Sequence, residues 1–221
     1  MTEPSYLRTT RAGYDAIAVP YADLARDDLA NKPFDPAMLA AFAQVVRVGG
    51  GGLVADVGTG PGRIAAHLHG LGLDVFGVDL SPEMVALARR TYPELRFVEG
   101  AIAALDLADG ALAGLVSWYS IIHTPPELMP AVFAEFHRVV APGGHVMLAF
   151  QVGDEPLRLA EAFGHTIALE FHRWRPERVS ELLTDAGFEP QATLVRAAEP
   201  TERTPQAYVM VRKPAVEAPG A

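Results

Sequence analysis

The sequence predicts an α/β protein of three layers, with helices on both faces of a mostly parallel sheet. Two observations carry this. The apolar run Leu53 to Val57 ends in glycines at alternate positions, Gly58, Gly60 and Gly62, and a helical stripe of Ile64, Ala65, Leu68 and Leu71 follows. Strand, glycine turn and helix make the first unit of a nucleotide-binding α/β sheet, and glycines there let a ligand approach the backbone. The next apolar run, residues 74–78, ends at Asp79 and hands over to Ser81-Pro82-Glu83. A hydroxyl cap, a proline and an acid in the first turn mark a helix start.

The remaining elements follow in order. Residues 1–10 are expected to be frayed. Residues 11–26 are helical, with Tyr14, Ile17, Ala18, Tyr21, Leu24 and Ala25 on one side. Pro20 is expected to break or kink that helix. Asp35-Pro36 reads as an N-cap followed by proline at the first helical position, opening a helix to about residue 48. Its stripe is Leu39, Phe42, Ala43 and Val46, and four glycines end it. Strand 3 covers residues 95–98 and strand 4 residues 114–119. A helix over 127–139 follows, and Pro142-Gly143-Gly144 turns into strand 5, which ends near Gln151. Residues 152–175 are too long for a simple connection and carry His165, Phe171, His172 and Trp174. They read as a substrate cap, or as an extra strand or helix covering the sheet. Residues 176–186 form a helix closed by Gly187. Two strands joined by a polar turn complete the fold, and the tail from residue 215 is expected to be loose.

Composition narrows the function. Of 221 residues, 50% are hydrophobic and 20% charged, which suits one globular domain with a substantial core. A net charge of -9 argues against a nucleic-acid partner, which would need a basic stripe. With no cysteine there is no disulfide, thiol nucleophile or thiolate metal site. The most apolar run, residues 110–122, is too short to span a bilayer, and the first residues lack an apolar signal core. The expectation is a cytoplasmic protein, monomer or homodimer, that binds a small molecule and no membrane.

The glycine spacing is G-x-G-x-G rather than G-x-G-x-x-G, and Asp56 stands two residues before the first glycine. A carboxylate there would repel a pyrophosphate and suit an ammonium or sulfonium. With "VADVGTGPG" and then "VFGVDLSPEMVALAR", the chain resembles the class I S-adenosylmethionine-dependent methyltransferases over roughly residues 50–213. The resemblance implies a three-layer αβα, Rossmann-like methyltransferase fold. Its seven-stranded sheet would have order 3-2-1-4-5-7-6, with strand 7 antiparallel. It also implies one domain: an N-terminal helical lid over 11–48, a cofactor-binding core over 50–151, the cap over 152–175, and a final helix and hairpin over 176–213. The implied cofactor is S-adenosyl-L-methionine. The implied activity is direct in-line methyl transfer to a small molecule without a metal.

Site residues follow from the same comparison. Asp79 lies about twenty residues past the first glycine, the distance of an acid that accepts both hydrogens of a ribose diol. Leu80 and Met84 would flank the adenine. Gly58, Thr59, Gly60 and Arg63 of the glycine loop, with Asp56, would hold the rest of the cofactor. The family usually has Gly-Asp-Ala after strand 3, its acid bonding the adenine amino group. This chain has Gly100-Ala101-Ile102, so backbone groups of Ala101 and Ile102, or water, would read the adenine, while Glu99 is expected to face outward. A second departure is Ala113-Gly114 where the family often has Phe-Asp. Tyr14 and Tyr21 are candidates for a lid whose ring faces attract the sulfonium. Ser117, Trp118 and Tyr119 close strand 4 at the edge where ligands bind in open α/β sheets. His123 is the first candidate base, with Tyr119 beside it and His172 as the second. No carboxylates cluster near His123, so no metal is expected. A NAD-dependent oxidoreductase, a protein that binds S-adenosylmethionine without transferring methyl, and a cofactor-assisted cyclase stay open as alternatives.

Overall fold

A computed structural model describes residues 3–215, apart from the side chain of residue 28. In chain order the elements are α1 (Ser5–Ala25), α2 (Asp28–Asn31), α3 (Phe34–Val48), β1 (Leu53–Val57), α4 (Arg63–Gly70), β2 (Asp74–Asp79), α5 (Pro82–Thr91), β3 (Arg96–Glu99), β4 (Leu112–Trp118), α6 (Met129–Val139), β5 (Val140–Gln151), β6 (Leu157–Ala162), β7 (His165–Phe171), α7 (Pro176–Asp185), β8 (Glu189–Arg196) and β9 (Gln206–Arg212). The main sheet runs β3-β2-β1-β4-β5-β9-β8. β1 pairs in parallel with both β2 and β4, while β9 pairs antiparallel with β5 and β8. This is the expected order, with one hairpin inserted between the fifth and sixth strands of the sheet. The expected loose tail falls, from residue 216, outside the described residues.

The central strands are buried on both faces, as a mostly parallel sheet requires. On one face Phe133 and Phe136 of α6 and Leu183 of α7 pack against Val146 and Phe150 of β5. On the other, Leu39 and Phe42 of α3, Leu68 of α4 and Val85 of α5 form a second core. Gly114 explains one departure from the family pattern. A Cβ there would stand 2.8 Å from the Phe42 ring, so glycine lets α3 lie close against β4. Removing the Phe42 ring would cost about 3–5 kcal/mol.

Several expectations need correction. α1 starts at Ser5, and Pro20 sits inside it. Proline removes the amide that would pair with the carbonyl of Ala16, and Ala16 is exposed, so water is at hand there. Asp35 does not cap α3. Pro33 holds the N-cap position, and the buried Asp35 carboxylate accepts a 2.5 Å hydrogen bond from Tyr208 Oη of β9. The "APGG" segment lies within β5, where the register with β4 shifts between Leu112 and Gly114. Helix α6 starts at Met129, after a short 3-10 turn over Pro126–Leu128.

Residues 152–175 hold the β6–β7 hairpin, a separate two-stranded sheet. Such a hairpin is marginal alone. It is held by α1: Ile17 packs with Ile167 and Leu169 in a third apolar cluster, flanked by Tyr14, Tyr21 and Phe171.

Candidate active site

A cleft lies at the carboxyl ends of β1, β2 and β4 and is walled by α1. From β1 come Gly58 and Gly60, and from β2 come Asp79, Leu80 and Ser81. Met84 of α5, with Ala101 and Ile102 after β3, makes an apolar side. Trp118, Tyr119, Ser120 and His123 arrive from the end of β4. Gly58 has φ 76°, and a Cβ on it would stand 2.1 Å from Ser120 Cβ, so no other residue fits.

Asp79 sits where β2 gives way to α5. Its carboxylate accepts from Gly60 N at 2.7 Å and from Ser81 N at 2.8 Å. Burial pushes its pKa up to about 6, against the pull of those amides. Ser81 caps α5 by accepting from Met84 N at 3.1 Å and donates its own proton to Asp15 of α1 at 2.5 Å. Arg11 Nε adds a 3.1 Å bond to the Leu80 carbonyl, so α1 is fastened directly over this corner.

His123 links α1, the β4 end and the hairpin. Its Nδ1 stands 2.9 Å from the Glu170 carbonyl and its Nε2 2.8 Å from Tyr14 Oη. A carbonyl only accepts, so Nδ1 carries the hydrogen and Nε2 accepts from the tyrosine. The Phe171 and Tyr14 rings meet the imidazole edge-on, at centroid distances of 4.8 and 5.2 Å. Burial lowers the His123 pKa to about 4; the Glu170 carbonyl opposes this and nearby His172 adds to it. Burial likewise raises the Tyr14 phenol well above its ordinary range, helped by Tyr21 and Asp79. Tyr119 has φ 56°, a left-handed backbone that costs a non-glycine residue about 1–2 kcal/mol. Its buried hydroxyl and the Trp118 indole nitrogen lack hydrogen-bond partners among the described residues. Burial raises the Tyr119 phenol strongly.

Of the residues expected at the site, Tyr21, Gly58, Gly60, Asp79, Leu80, Met84, Ala101, Ile102, Trp118, Tyr119 and His123 meet at this cleft. Others stand behind it. Asp56 is fully buried and accepts from Thr59 Oγ1 at 2.5 Å and from Ala65 N at 3.1 Å, which ties the glycine loop to α4. Its carboxylate thus braces the turn rather than facing a cation, which corrects the electrostatic reading of that position. Thr59 spends its hydroxyl on that bond. Arg63 acts on Asp56 through its charge. Gly100 joins β3 to β2 through its amide and the Asp79 carbonyl at 2.9 Å. Ser117 is buried and bonds Ser120 Oγ at 2.5 Å, and Ser120 donates to the Val57 carbonyl. His172 does not line the cleft; its amide donates to the Ile122 carbonyl at 2.7 Å.

Tyr6, Leu7 and Thr10 of α1 line the cleft but fall in the stretch expected to be frayed, and Arg11 lines it from the first position of the expected helix. The signal was present. Residues 6, 7, 10, 11, 14, 17, 18 and 21 recur at three- and four-residue spacing, one helix face. The Glu170 carbonyl had no such signal, because any residue type supplies one.

Residues 54–144 match a protein-family model described as a methyltransferase domain. A demethylmenaquinone methyltransferase of Chlorobaculum parvum is 38% identical over 92 residues, 41% of this chain and 37% of that protein. The match thus spans well under half the length of that curated relative. Among solved structures, the DhpI–SAH complex superposes with TM-score 0.75 at 22% identity, over 96% of this chain and 99% of that one. The Burkholderia thailandensis 1,6-didemethyltoxoflavin-N1-methyltransferase, solved with 1,6-didemethyltoxoflavin and S-adenosylhomocysteine, gives TM-score 0.71 at 24% identity, over 97% and 92%. Residues 54–144 thus match a methyltransferase domain, and the sheet order and these likenesses show the fold of the class I S-adenosylmethionine-dependent methyltransferases.

Proposed function

We propose that this protein binds S-adenosylmethionine in the cleft and transfers its methyl group to a small, uncharged, planar acceptor. The observation that carries the reading is Asp79: a carboxylate at the end of β2, fixed by the Gly60 and Ser81 amides, on the floor of a cleft with apolar walls. Two amides leave it further lone pairs for a ribose diol. Leu80, Met84 and Ile102 suit an adenine, and Gly60 presents bare backbone to the rest of the cofactor. When bound, the cofactor supplies an activated methyl on a cationic sulfur.

What the chain adds is position and surroundings. Tyr14 and Tyr21 meet edge to face, with ring centroids 5.6 Å apart, and Trp118 and Tyr119 at 6.2 Å. These rings give an acceptor flat apolar walls, and ring faces attract a cation. Arg11 is the one cationic side chain among the described lining residues. It is engaged by the Leu80 carbonyl and Glu3, so no free cation awaits an anionic acceptor. Helix α1 and the β6–β7 hairpin serve as lid and cap of the one domain. The reading uses no metal: among the described residues no group of three or more His, Cys, Asp or Glu could hold one. Bringing the acceptor into line with the S–CH3 bond makes the transfer an effectively unimolecular step.

Incubating the protein with methyl-labelled S-adenosylmethionine and a pool of small aromatic metabolites tests this. Labelled product is expected. Calorimetric binding of NAD in preference to S-adenosylhomocysteine, or cofactor consumption with no labelled product, would remove the proposal.

A further inference from the structure

We infer that Tyr14 and His123 form a proton relay that accepts the acceptor's hydrogen, with Tyr14 Oη the group that touches the acceptor and His123 Nε2 the final base. The inference rests on the methyl-transfer reading above. Its geometric basis is the chain Tyr14 Oη–H to His123 Nε2 at 2.8 Å, and His123 Nδ1–H to the Glu170 carbonyl at 2.9 Å. His123 Nε2 is already occupied by the tyrosine, so His123 does not meet an acceptor directly. Tyr14 Oη donates its one hydrogen to Nε2 and keeps lone pairs free. Tyr14 also lines the cleft.

The step balances without a further reagent. The acceptor's O–H or ring N–H bond breaks and its hydrogen passes to Tyr14 Oη. The tyrosine's own hydrogen passes to His123 Nε2. The acceptor's electron pair forms the new bond to the methyl carbon, and the S–CH3 pair stays with sulfur. A positive charge is lost at sulfur and gained at the imidazole, so the net charge of a poorly hydrated cleft stays constant. That matters because an isolated charge is costly to create there. The imidazolium keeps its Nδ1–H bond to the Glu170 carbonyl. A weak base suffices: the methylated heteroatom is a strong acid until its proton leaves, and a neutral imidazole is ready above pH about 4. Groups facing the pair are Tyr21 and Asp79 beside Tyr14, and His172 beside His123. The Glu170 carboxylate is turned to Arg158, 2.9 Å away.

Two readouts test the relay. In the first, the seven histidines are labelled with 15N and His123 is assigned by comparison with His123→Gln. At pH 7 the wild type should show His123 protonated at Nδ1 alone. Tyr14→Phe, which should still bind S-adenosylhomocysteine in calorimetry, should move the Nε2 resonance to that of a nitrogen without a donor. An Nε2-protonated ring, or an Nε2 resonance unmoved by Tyr14→Phe, overturns the relay and leaves the cofactor reading intact. In the second, Tyr14→Phe and His123→Gln should each slow label transfer to the metabolite pool ~10²–10⁴-fold. The double variant should be no slower than the worse single one, as expected of residues acting as a unit. Multiplicative losses overturn the relay. Failure of the wild type to bind S-adenosylhomocysteine overturns the parent reading, and the relay with it.

Discussion

Replacing Asp56 with Asn should flatten the dependence of stability on pH. In the folded chain the carboxyl is fully buried, and one of its oxygens has no hydrogen-bond partner among the described residues. Burial lifts its pKa from an ordinary 3.8 to about 7, and the Thr59 hydroxyl, Arg63 and the Ala65 amide offset only part of that. The folded chain therefore holds this proton more tightly than the unfolded chain. The benefit is complete below pH about 4 and is lost as pH rises to about 7. Each pH unit inside that window is a tenfold change in the folding equilibrium, which integrates to about 4 kcal/mol. About 3 kcal/mol of it falls between pH 5 and pH 8. Asparagine cannot titrate, while Asp79, whose charge helps to raise the Asp56 pKa, stays titratable in both proteins. Urea unfolding followed by circular dichroism at the two pH values measures the difference. The wild type should lose about 3 kcal/mol more than the variant. If both lose the same amount, the Asp56 carboxyl is not the buried titrating group described here.

Asp79→Ala should weaken S-adenosylhomocysteine binding at least ~100-fold, because hydrogen bonds to a charged group are each worth about 1.5–3 kcal/mol; calorimetry decides, and unchanged affinity removes the ribose assignment. Tyr208→Phe should cost about 1–3 kcal/mol. It strips Asp35 of its donor and leaves Arg196 Nε, now 3.0 Å from the phenol, without that acceptor; the thermal midpoint reads it. Leu169→Ala should cost about 2–5 kcal/mol locally and speed amide exchange in α1 and the hairpin while leaving β1 and β4 protected. Uniform acceleration would show that α1 and the hairpin do not open as a separate unit.

The parts legible in the sequence are those set by local chemistry. β1 and its alternate glycines, Asp79 before Ser81-Pro82-Glu83, and the buried stripe of α3 are written in neighbouring residues, and the family pattern then orders the sheet. What escaped depends on distant partners. Asp35-Pro36 has the grammar of a cap, yet Asp35 answers to a tyrosine 173 positions away. His123 takes its tautomer from residues 109 and 47 positions off. Pro20 looked like a helix breaker because its exposed surroundings on α1 were not visible. The strand pattern locates Asp56 along the chain but not the direction in which its carboxylate turns.

Ser81 makes opening and loosening one event. Its amide steadies Asp79, its oxygen starts α5, and its hydrogen fastens Asp15. A molecule leaving past the first helix must unpick a residue that also anchors the floor it rested on. The contact that holds α1 and the contact that holds Asp79 thus meet in one residue, the first through its hydroxyl and the second through its amide.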